Sequence, residues 1–156
     1  MLNFSQTSVD VDGVQTDVLV QPFADRILVL ITQLGKVGNL IQVSMPSTAP
    51  LVSSEASESS DPMGLLPTPP VAIQLRSLLG SASSEHLQTL HSLYAAQIAT
   101  LVWLTEDQAL VGSSRRSIIV GIALQKVTNE GGGLNEREKR MFHAIMEALM
   151  GMLKQS

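Results

Sequence analysis

The stretch that decides the fold is residues 23–41, which read FADRILVLITQLGKVGNLI. It contains five consecutive aliphatic residues, Ile27–Ile31. This run is too uniformly apolar for a strand with one wet face. We therefore expect cover on both faces, from a helix on one and from another sheet or a partner on the other. Gly35 and Gly38 then supply the backbone freedom for a turn, so the pattern predicts a hairpin whose second strand is Asn39–Met45.

A second hairpin precedes this stretch. Asp12-Gly13 lies between Val9–Val11 and Val14–Gln21, and Asp-Gly between alternating apolar residues is a strong signal for a two-residue turn. Because strand side chains alternate between faces, the residues expected on the apolar face of the later strand are Thr16, Val18 and Val20.

The second half of the chain predicts a short strand, a helix, a strand and a helix. The first strand is Val71–Leu75, and Ser83 or Ser84 is available to cap the helix that follows and ends near Trp103. Its apolar stripe comprises Leu87, Leu90, Tyr94, Ile98, Leu101 and Val102, and its polar face comprises Gln88, His91, Ser92 and Gln97. The next strand, Ser117–Gln125, is strongly apolar.

The last helix is expected to start at a capping box, with Asn135 as the cap and Glu138 three residues later, and to run to about Leu153. The whole pattern predicts an α+β fold of mostly antiparallel β-sheets, about six strands in a sandwich-like arrangement, flanked by two α-helices. Residues 1–156 form one domain. The Ser- and Pro-rich segment 47–70 is expected to be a disordered insert, because it has too little apolar surface to offset its ordering entropy.

Composition excludes several classes of function. The chain has no cysteine, which removes disulfides, thiolate metal sites and cysteine nucleophiles. The net charge of -4 and the five aromatic residues do not suit nucleic-acid binding. We also expect no membrane span and no secretory signal, and therefore a cytoplasmic, possibly also nuclear, protein.

Catalytic and cofactor-binding patterns are missing. Gly35-Lys36 lacks the glycine and the hydroxyl residue that a phosphate loop places around them, and the glycines at 131–133 lack dinucleotide spacing. His86 and His91 point about 140° apart on a helix, so they do not form a metal pair. We expect no enzyme activity, no catalytic residue, no cofactor and no metal.

The same stretch, residues 23–41, resembles the hairpin of the proteasome assembly chaperone 3 family. That family has an apolar strand ending in Thr-Gln, then an aromatic or aliphatic residue, Gly-Lys, an aliphatic residue and Gly, as in Thr32–Gly38. Leu78-Leu79-Gly80 and Ser117–Lys126 also resemble family segments. The insert at 47–70 departs from the short animal members and suggests a fungal-type relative.

The resemblance implies a chaperone that dimerises with proteasome assembly chaperone 4, or with itself, and binds proteasome α-subunits, α5 in particular, to promote formation of the 20S α-ring. It carries over no binding residue directly. We select the turn residues Lys36 and Val37 and the basic pair Arg115-Arg116 as candidate partner contacts, because loops on a rigid scaffold commonly carry recognition. Solvated turn and strand-edge residues are the alternative.

Two other functions remain open at this point. A non-enzymatic homodimeric scaffold or trafficking adaptor of α+β fold would share the composition. An enzyme or small-ligand domain would need a deep polar pocket assembled from residues distant in sequence.

Overall fold

The structure is a computed structural model, and it describes residues 3–33, 35, 37–46, 48–49, 66–109, 115–125 and 136–155. These residues form six strands and two helices. In chain order they are β1 (Ser5–Val11), β2 (Val14–Pro22), β3 (Arg26–Thr32), β4 (Asn39–Ser44), β5 (Gln74–Leu79), α1 (Glu85–Ala109), β6 (Ser117–Ala123) and α2 (Glu136–Lys154).

The six strands form one sheet in the order β1-β2-β3-β6-β4-β5. β3 and β6 are parallel, and the other four described pairs are antiparallel. This confirms the predicted α+β fold with a mostly antiparallel sheet and two helices. The first predicted hairpin is also confirmed: Asp12 (φ 52°) and Gly13 (φ 80°) form the turn between β1 and β2, with both φ angles positive as a tight two-residue turn requires.

The prediction of a hairpin within residues 23–41 is wrong. β3 and β4 do not pair with each other, because β6 lies between them and pairs with both. The connection instead passes over the end of β6. The Gln33 N–H donates to the Ala123 carbonyl at 2.8 Å, and Asn39 is in register with Ile122. Two strand spacings, about 9.6 Å, therefore separate β3 from β4.

One face of the sheet packs against both helices and forms the core. Val20, Val29, Val120 and Ile41 lie in one register row across four strands and are all buried. The helices contribute the other half of this core. They meet each other where the Tyr94 ring packs edge-on against Phe142, with ring centroids 5.0 Å apart. Large aliphatic side chains on both layers exclude water from this face.

The fifth strand and the end of the first helix differ from the prediction. β5 is Gln74–Leu79 and not Val71–Leu75, because pairing with β4 selects the later register and leaves Val71 fully exposed. α1 continues six residues past Trp103 to Ala109. Glu106 does not end the helix, since its carboxylate is paired with Arg116.

Two residues assigned to the polar face of α1 are buried. His91 is 8% exposed and contacts Asn39, and Gln97 is 6% exposed and donates from Nε2 to the Pro67 carbonyl at 2.9 Å. The segment that leads into β5 thus also packs against α1, on the face that was predicted to be polar. The predicted cap at Ser84 is confirmed, as its hydroxyl accepts from the Leu87 N–H at 3.2 Å.

The predicted cap Asn135 and most of the predicted insert lie outside the described residues. Within the range 47–70, the described residues are 48–49 and 66–70. Ala49 and Leu66, one on each side of the undescribed part, pack against the core. Glu138, the other member of the predicted capping box, pairs with His86 of α1.

Candidate partner-binding face

The connection between β3 and β4 is held in place by the Gln33 side chain. Its Nε2 donates to Thr16 Oγ1 of β2 at 3.0 Å and lies 3.0 Å from the Met141 sulfur of α2. Its Oε1 accepts from the Gln125 N–H at 2.8 Å, just beyond β6. One amide thus joins four parts of the fold, which fixes where the connection leaves the sheet.

Gly38 anchors the other end of this connection. Its φ of +69° lies in the left-handed region, and a Cβ there would come 2.1 Å from the Ile122 carbonyl oxygen. Only glycine allows the chain to pass this close to β6. Gly35 also has a positive φ, +68°, but a Cβ there would meet no atom within 4 Å. The connection is therefore packed tightly at its end and open at its centre.

The second face of the sheet carries apolar side chains that neither helix covers. They lie on the four central strands, β2, β3, β6 and β4, and they are Leu19, Leu28, Leu30, Leu40, Ile119 and Ala123. We call this surface the open face. Leu19, Leu28, Leu30 and Leu40 are half-buried, whereas Ile119 and Ala123 are only 7% and 5% exposed. None of the six belongs to the core cluster that packs against the helices.

Gly121 of β6 lies at the centre of the open face. A Cβ at this position would come 2.4 Å from Leu30 Cδ2, 3.3 Å from Leu40 Cδ2 and 3.2 Å from the Val37 carbonyl oxygen. The two leucines therefore lean inward over the glycine and flatten the surface. The absence of a side chain at Gly121 thus permits a close approach by the two leucine side chains and the Val37 backbone.

The three described candidate contacts lie at opposite ends of β6. Lys36 is outside the described residues, and Val37 is 44% exposed. Arg115 and Arg116 precede the start of β6, while Val37 lies near its end, about 20 Å away for a strand of this length. The structure therefore does not bring Val37 and the two arginines together.

Arg115 and Arg116 make contacts within the chain. Arg115 Nη1 donates to the Pro46 carbonyl at 2.9 Å. Arg116 Nη1 donates to the Phe23 carbonyl at 2.6 Å, and its Nη2 pairs with the Glu106 carboxylate. The Arg116 carbonyl accepts from Trp103 Nε1 at 2.8 Å. Arg116 thus joins the β2–β3 turn, α1 and β6, which is a structural task whether or not a partner also reaches it.

None of the residues of the open face was selected as a candidate contact from the sequence. The uniform apolar runs of β3 and β6 predicted cover on both faces, which points to a surface of this kind. The positions could not be selected, because they depend on β6 lying between β3 and β4. That placement sets Leu30 beside Gly121, and Gly121 beside Leu40.

A cavity of about 70 Å³ lies between the two helices and the ends of β2 and β6. Among its lining residues are His86, Glu138, Gln33 and Tyr94. His86 Nε2 lies 2.7 Å from Glu138 Oε2, and burial together with the nearby Glu138 charge raises the pKa of Tyr94. Ligand pockets are commonly 300–1,000 Å³, so this space suits one or two waters and not a substrate.

A wider groove of about 410 Å³ runs between β1 and the C-terminal part of α2, and the one ionisable side chain lining it is Glu147. Within the described ranges, no group of three or more His, Asp or Glu side chains is placed to hold a metal ion. Among the described helices, none has the length and apolar character needed to cross a membrane.

Comparisons with known proteins agree with this geometry. The family model described as proteasome assembly chaperone 3 matches residues 29–152, from β3 into α2. A solved structure of a chaperone complex for yeast 20S proteasome assembly contains a chain of the same fold, with a TM-score of 0.51 and 12% identity over 95% of this chain and 99% of that one. None of the curated proteins matches. Because the family model covers most of the sequence, including β3, the connection to β4 and β6, the chain belongs to the proteasome assembly chaperone 3 family.

Proposed function

We propose that this chain is a proteasome assembly chaperone that dimerises through its open face with a partner of the proteasome assembly chaperone 4 type. The dimer binds proteasome α-subunits, α5 in particular, and promotes formation of the 20S α-ring by holding subunits in a productive orientation. It acts in the cytoplasm or nucleus. It acts by binding energy alone, because no catalytic group is arranged within the described residues.

The open face is the observation that carries this proposal. Six strands about 4.8 Å apart and about 20 Å long give a surface of roughly 600 Å² in projection, before side-chain relief is added. A standard protein interface buries about 800 Å² on each partner. A sheet of the same build laid on this face would bury an area of the same order, apolar over the four central strands, with helices on the two outer sides.

Gly121 determines the shape of the open face at its centre. Because Leu30 and Leu40 lean over it, the centre of the face is flat and lacks large protruding side chains. A second sheet packs about 10 Å away, and its own side chains can fill the space above the flat centre. A charged side chain in this region of a dimer would be buried without a partner, which is costly.

A charge placed on the open face tests the proposal. We expect Leu30→Asp to remain folded, since Leu30 is only half-buried in the single chain, and to abolish dimerisation. Sedimentation velocity of the purified chain mixed with a proteasome assembly chaperone 4-type protein measures the loss. The matched control is Leu93→Asp, because Leu93 is 42% exposed on the outer side of α1.

The α-subunit part of the proposal has its own measurement. The wild-type dimer should retain purified α5 on an affinity resin, and Leu30→Asp should not. A wild-type chain that forms only homodimers and retains no α5 would support the scaffold or adaptor function instead. A Leu30→Asp chain that still dimerises would show that the interface lies elsewhere.

A further inference from the structure

The outer edge of β5 differs from the other edge of the sheet. All six residues of β5 are exposed, and they include Leu75, Leu78 and Leu79, which are 40%, 45% and 59% exposed. At the opposite edge, the exposed residues of β1 are Gln6, Ser8 and Asp10. The sheet therefore ends in a polar strand on one side and in a leucine-rich strand on the other.

Edge strands normally carry features that prevent further pairing. Charged residues, prolines, short length and bulges are the common ones, because half of the backbone N–H and C=O groups of an edge strand point outward. β5 has six residues, no proline and one charge, Arg76. It does contain an irregularity, since Ser77 is in register with Ile41 and Leu79 with Leu40, which leaves Leu78 as the extra residue. This β-bulge changes the direction of the exposed Leu78 side chain, but the outward backbone N–H and C=O groups of β5 remain available for pairing.

An extended peptide segment satisfies an edge of this kind. A helix or a folded surface can cover the leucines but cannot pair with a row of backbone groups, whereas an added strand does both. The leucines of β5 lie toward both faces: Leu75 is in register with the buried Val43, and Leu79 with Leu40 of the open face. An incoming strand therefore needs apolar side chains that reach these leucines.

The charge of β5 distinguishes between the proteins that could bind at its outer edge. The only charged residue of β5 is the exposed Arg76, so a complementary strand carries a carboxylate opposite it. A second copy of β5 reads QLRSLL and offers no acid. Antiparallel pairing of two copies would bring two arginines into the same small interface. The edge is thus better suited to a different protein.

We propose that the outer edge of β5 binds an extended, partly apolar segment of the client α-subunit as a seventh strand, with an acidic residue of that segment opposite Arg76. This rests on the proposed function, because the client is the α-subunit named there. It goes further by assigning the contact to a strand edge that is continuous, through Leu79 and Leu40, with the open face.

Hydrogen exchange of backbone amides tests strand addition directly. The chain, in its dimer with the assembly chaperone partner, is measured by mass spectrometry with and without purified α5. We expect exchange over 74–79 to slow by about tenfold or more when α5 is bound, because added strands protect outward amides. Exchange over β1 serves as the internal control and should not change.

Side-chain variants test the same contact independently. Arg76→Glu and Leu78→Lys should each weaken the retention of α5 by about tenfold or more, measured on dimers isolated beforehand so that a change in dimerisation does not enter the comparison. Arg76→Gln, which only removes the charge, should give a smaller loss in the same direction. Val71→Lys is the matched control, since Val71 is fully exposed but lies outside β5, and its retention should stay within about twofold of wild type.

Three outcomes overturn the inference. Unchanged exchange over 74–79 with α5 bound would place the client elsewhere and leave the proposed function standing. Slow exchange that appears without α5 and increases with chain concentration would assign the edge to a second copy. Failure of the wild-type dimer to retain α5 would overturn the proposed function, and this inference with it.

Discussion

At the scale of single residues, Gln33 shows how one side chain can explain a sequence pattern. The Thr-Gln pair at the end of β3 carries the resemblance to the family, and its glutamine binds Thr16, Gln125 and the Met141 sulfur within the chain. The buried Thr16 hydroxyl would lose this partner without it, at about 1–3 kcal/mol. The residue therefore positions the connection and need not touch a partner.

His91 is a second residue whose surroundings decide its behaviour. The Asn39 amide nitrogen lies 3.3 Å from His91 Nδ1, and because an amide nitrogen can only donate, this ring nitrogen accepts. Burial lowers the pKa of His91, since the charged ring would lose its hydration. The folded protein thus holds the ring neutral.

We predict that His91 makes the protein less stable in mild acid. Its pKa is lower in the folded than in the unfolded chain, so below about pH 6.5 the unfolded chain binds more protons and the free energy of unfolding falls. The melting temperature should fall between pH 7.5 and pH 5.5. His91→Gln keeps an acceptor for Asn39 and should make this fall shallower.

Because other ionisable groups also contribute to the pH dependence of stability, the comparison uses the difference between variant and wild type at each pH. A His91→Gln profile parallel to that of wild type would show that His91 does not contribute. The same measurement on His143→Gln shows what loss of a half-buried histidine on α2 does by itself.

At the scale of elements, the connection between β3 and β4 depends on two glycines with nearly the same backbone and different surroundings. We predict that Gly35→Ala lowers the free energy of unfolding by about 1–2 kcal/mol, the cost of placing a side chain in the left-handed region. Gly38→Ala should cost about 2–5 kcal/mol, because its Cβ would also meet the Ile122 carbonyl.

Urea denaturation of both variants measures this difference. Since the two φ angles are +68° and +69°, the excess loss in Gly38→Ala isolates the close approach to β6. Equal losses would mean that the connection lifts away from β6 without cost. A larger loss at Gly35 would contradict the open surroundings described for it.

The sequence predicted individual elements better than their arrangement. The Asp12-Gly13 turn, the serine cap and the apolar stripe of α1 follow from local rules, and the structure has them. Val71–Leu75 was selected as a strand because its residues alternate, but pairing with β4 selects Gln74–Leu79. The position of β6 between β3 and β4 rests on contacts between residues about 75 to 91 apart in the chain, which no local pattern encodes.

The sequence predicted that the sheet has an excess apolar surface, but not which residues form it. Uniform apolar runs in β3 and β6 indicated a sheet with an excess of apolar surface, and the open face is that surface. The buried His91 and Gln97 show the opposite error, since helical periodicity placed them outside. They are covered by Asn39 and by the segment at Pro67, which come from other parts of the chain.

At the scale of the whole molecule, we expect the middle of the Ser- and Pro-rich segment to be dispensable for the fold. Its composition predicts disorder, but Ala49 and Leu66, near the two ends of the segment, pack against the core. We predict that a chain lacking residues 51–65 has a melting temperature within about 2 °C of the full chain, because shortening a flexible loop changes its closure entropy by only about 0.6 kcal/mol per halving.

Leu66→Ser in the full chain is the companion variant. It should lower the melting temperature, because Leu66 is packed on the core and lies just beyond the deleted range. A deletion that destabilises the protein more than Leu66→Ser does would show that residues 51–65 contribute to the fold.

The place of β6 in the sheet also has a consequence for synthesis of the protein. β3 and β4 leave the ribosome first, with a gap one strand wide between them, and Ser117–Ala123 that fills it follows roughly 80 residues after β4. At about 5–20 residues per second, the nascent chain spends about 4–16 s with two apolar strand edges unpaired. A stop codon before Ser117 would release a chain prone to aggregate, and a translational pause there would lengthen the time for which these edges stay unpaired. An assembly factor of this build therefore has an unprotected interval of its own before it can assist another protein.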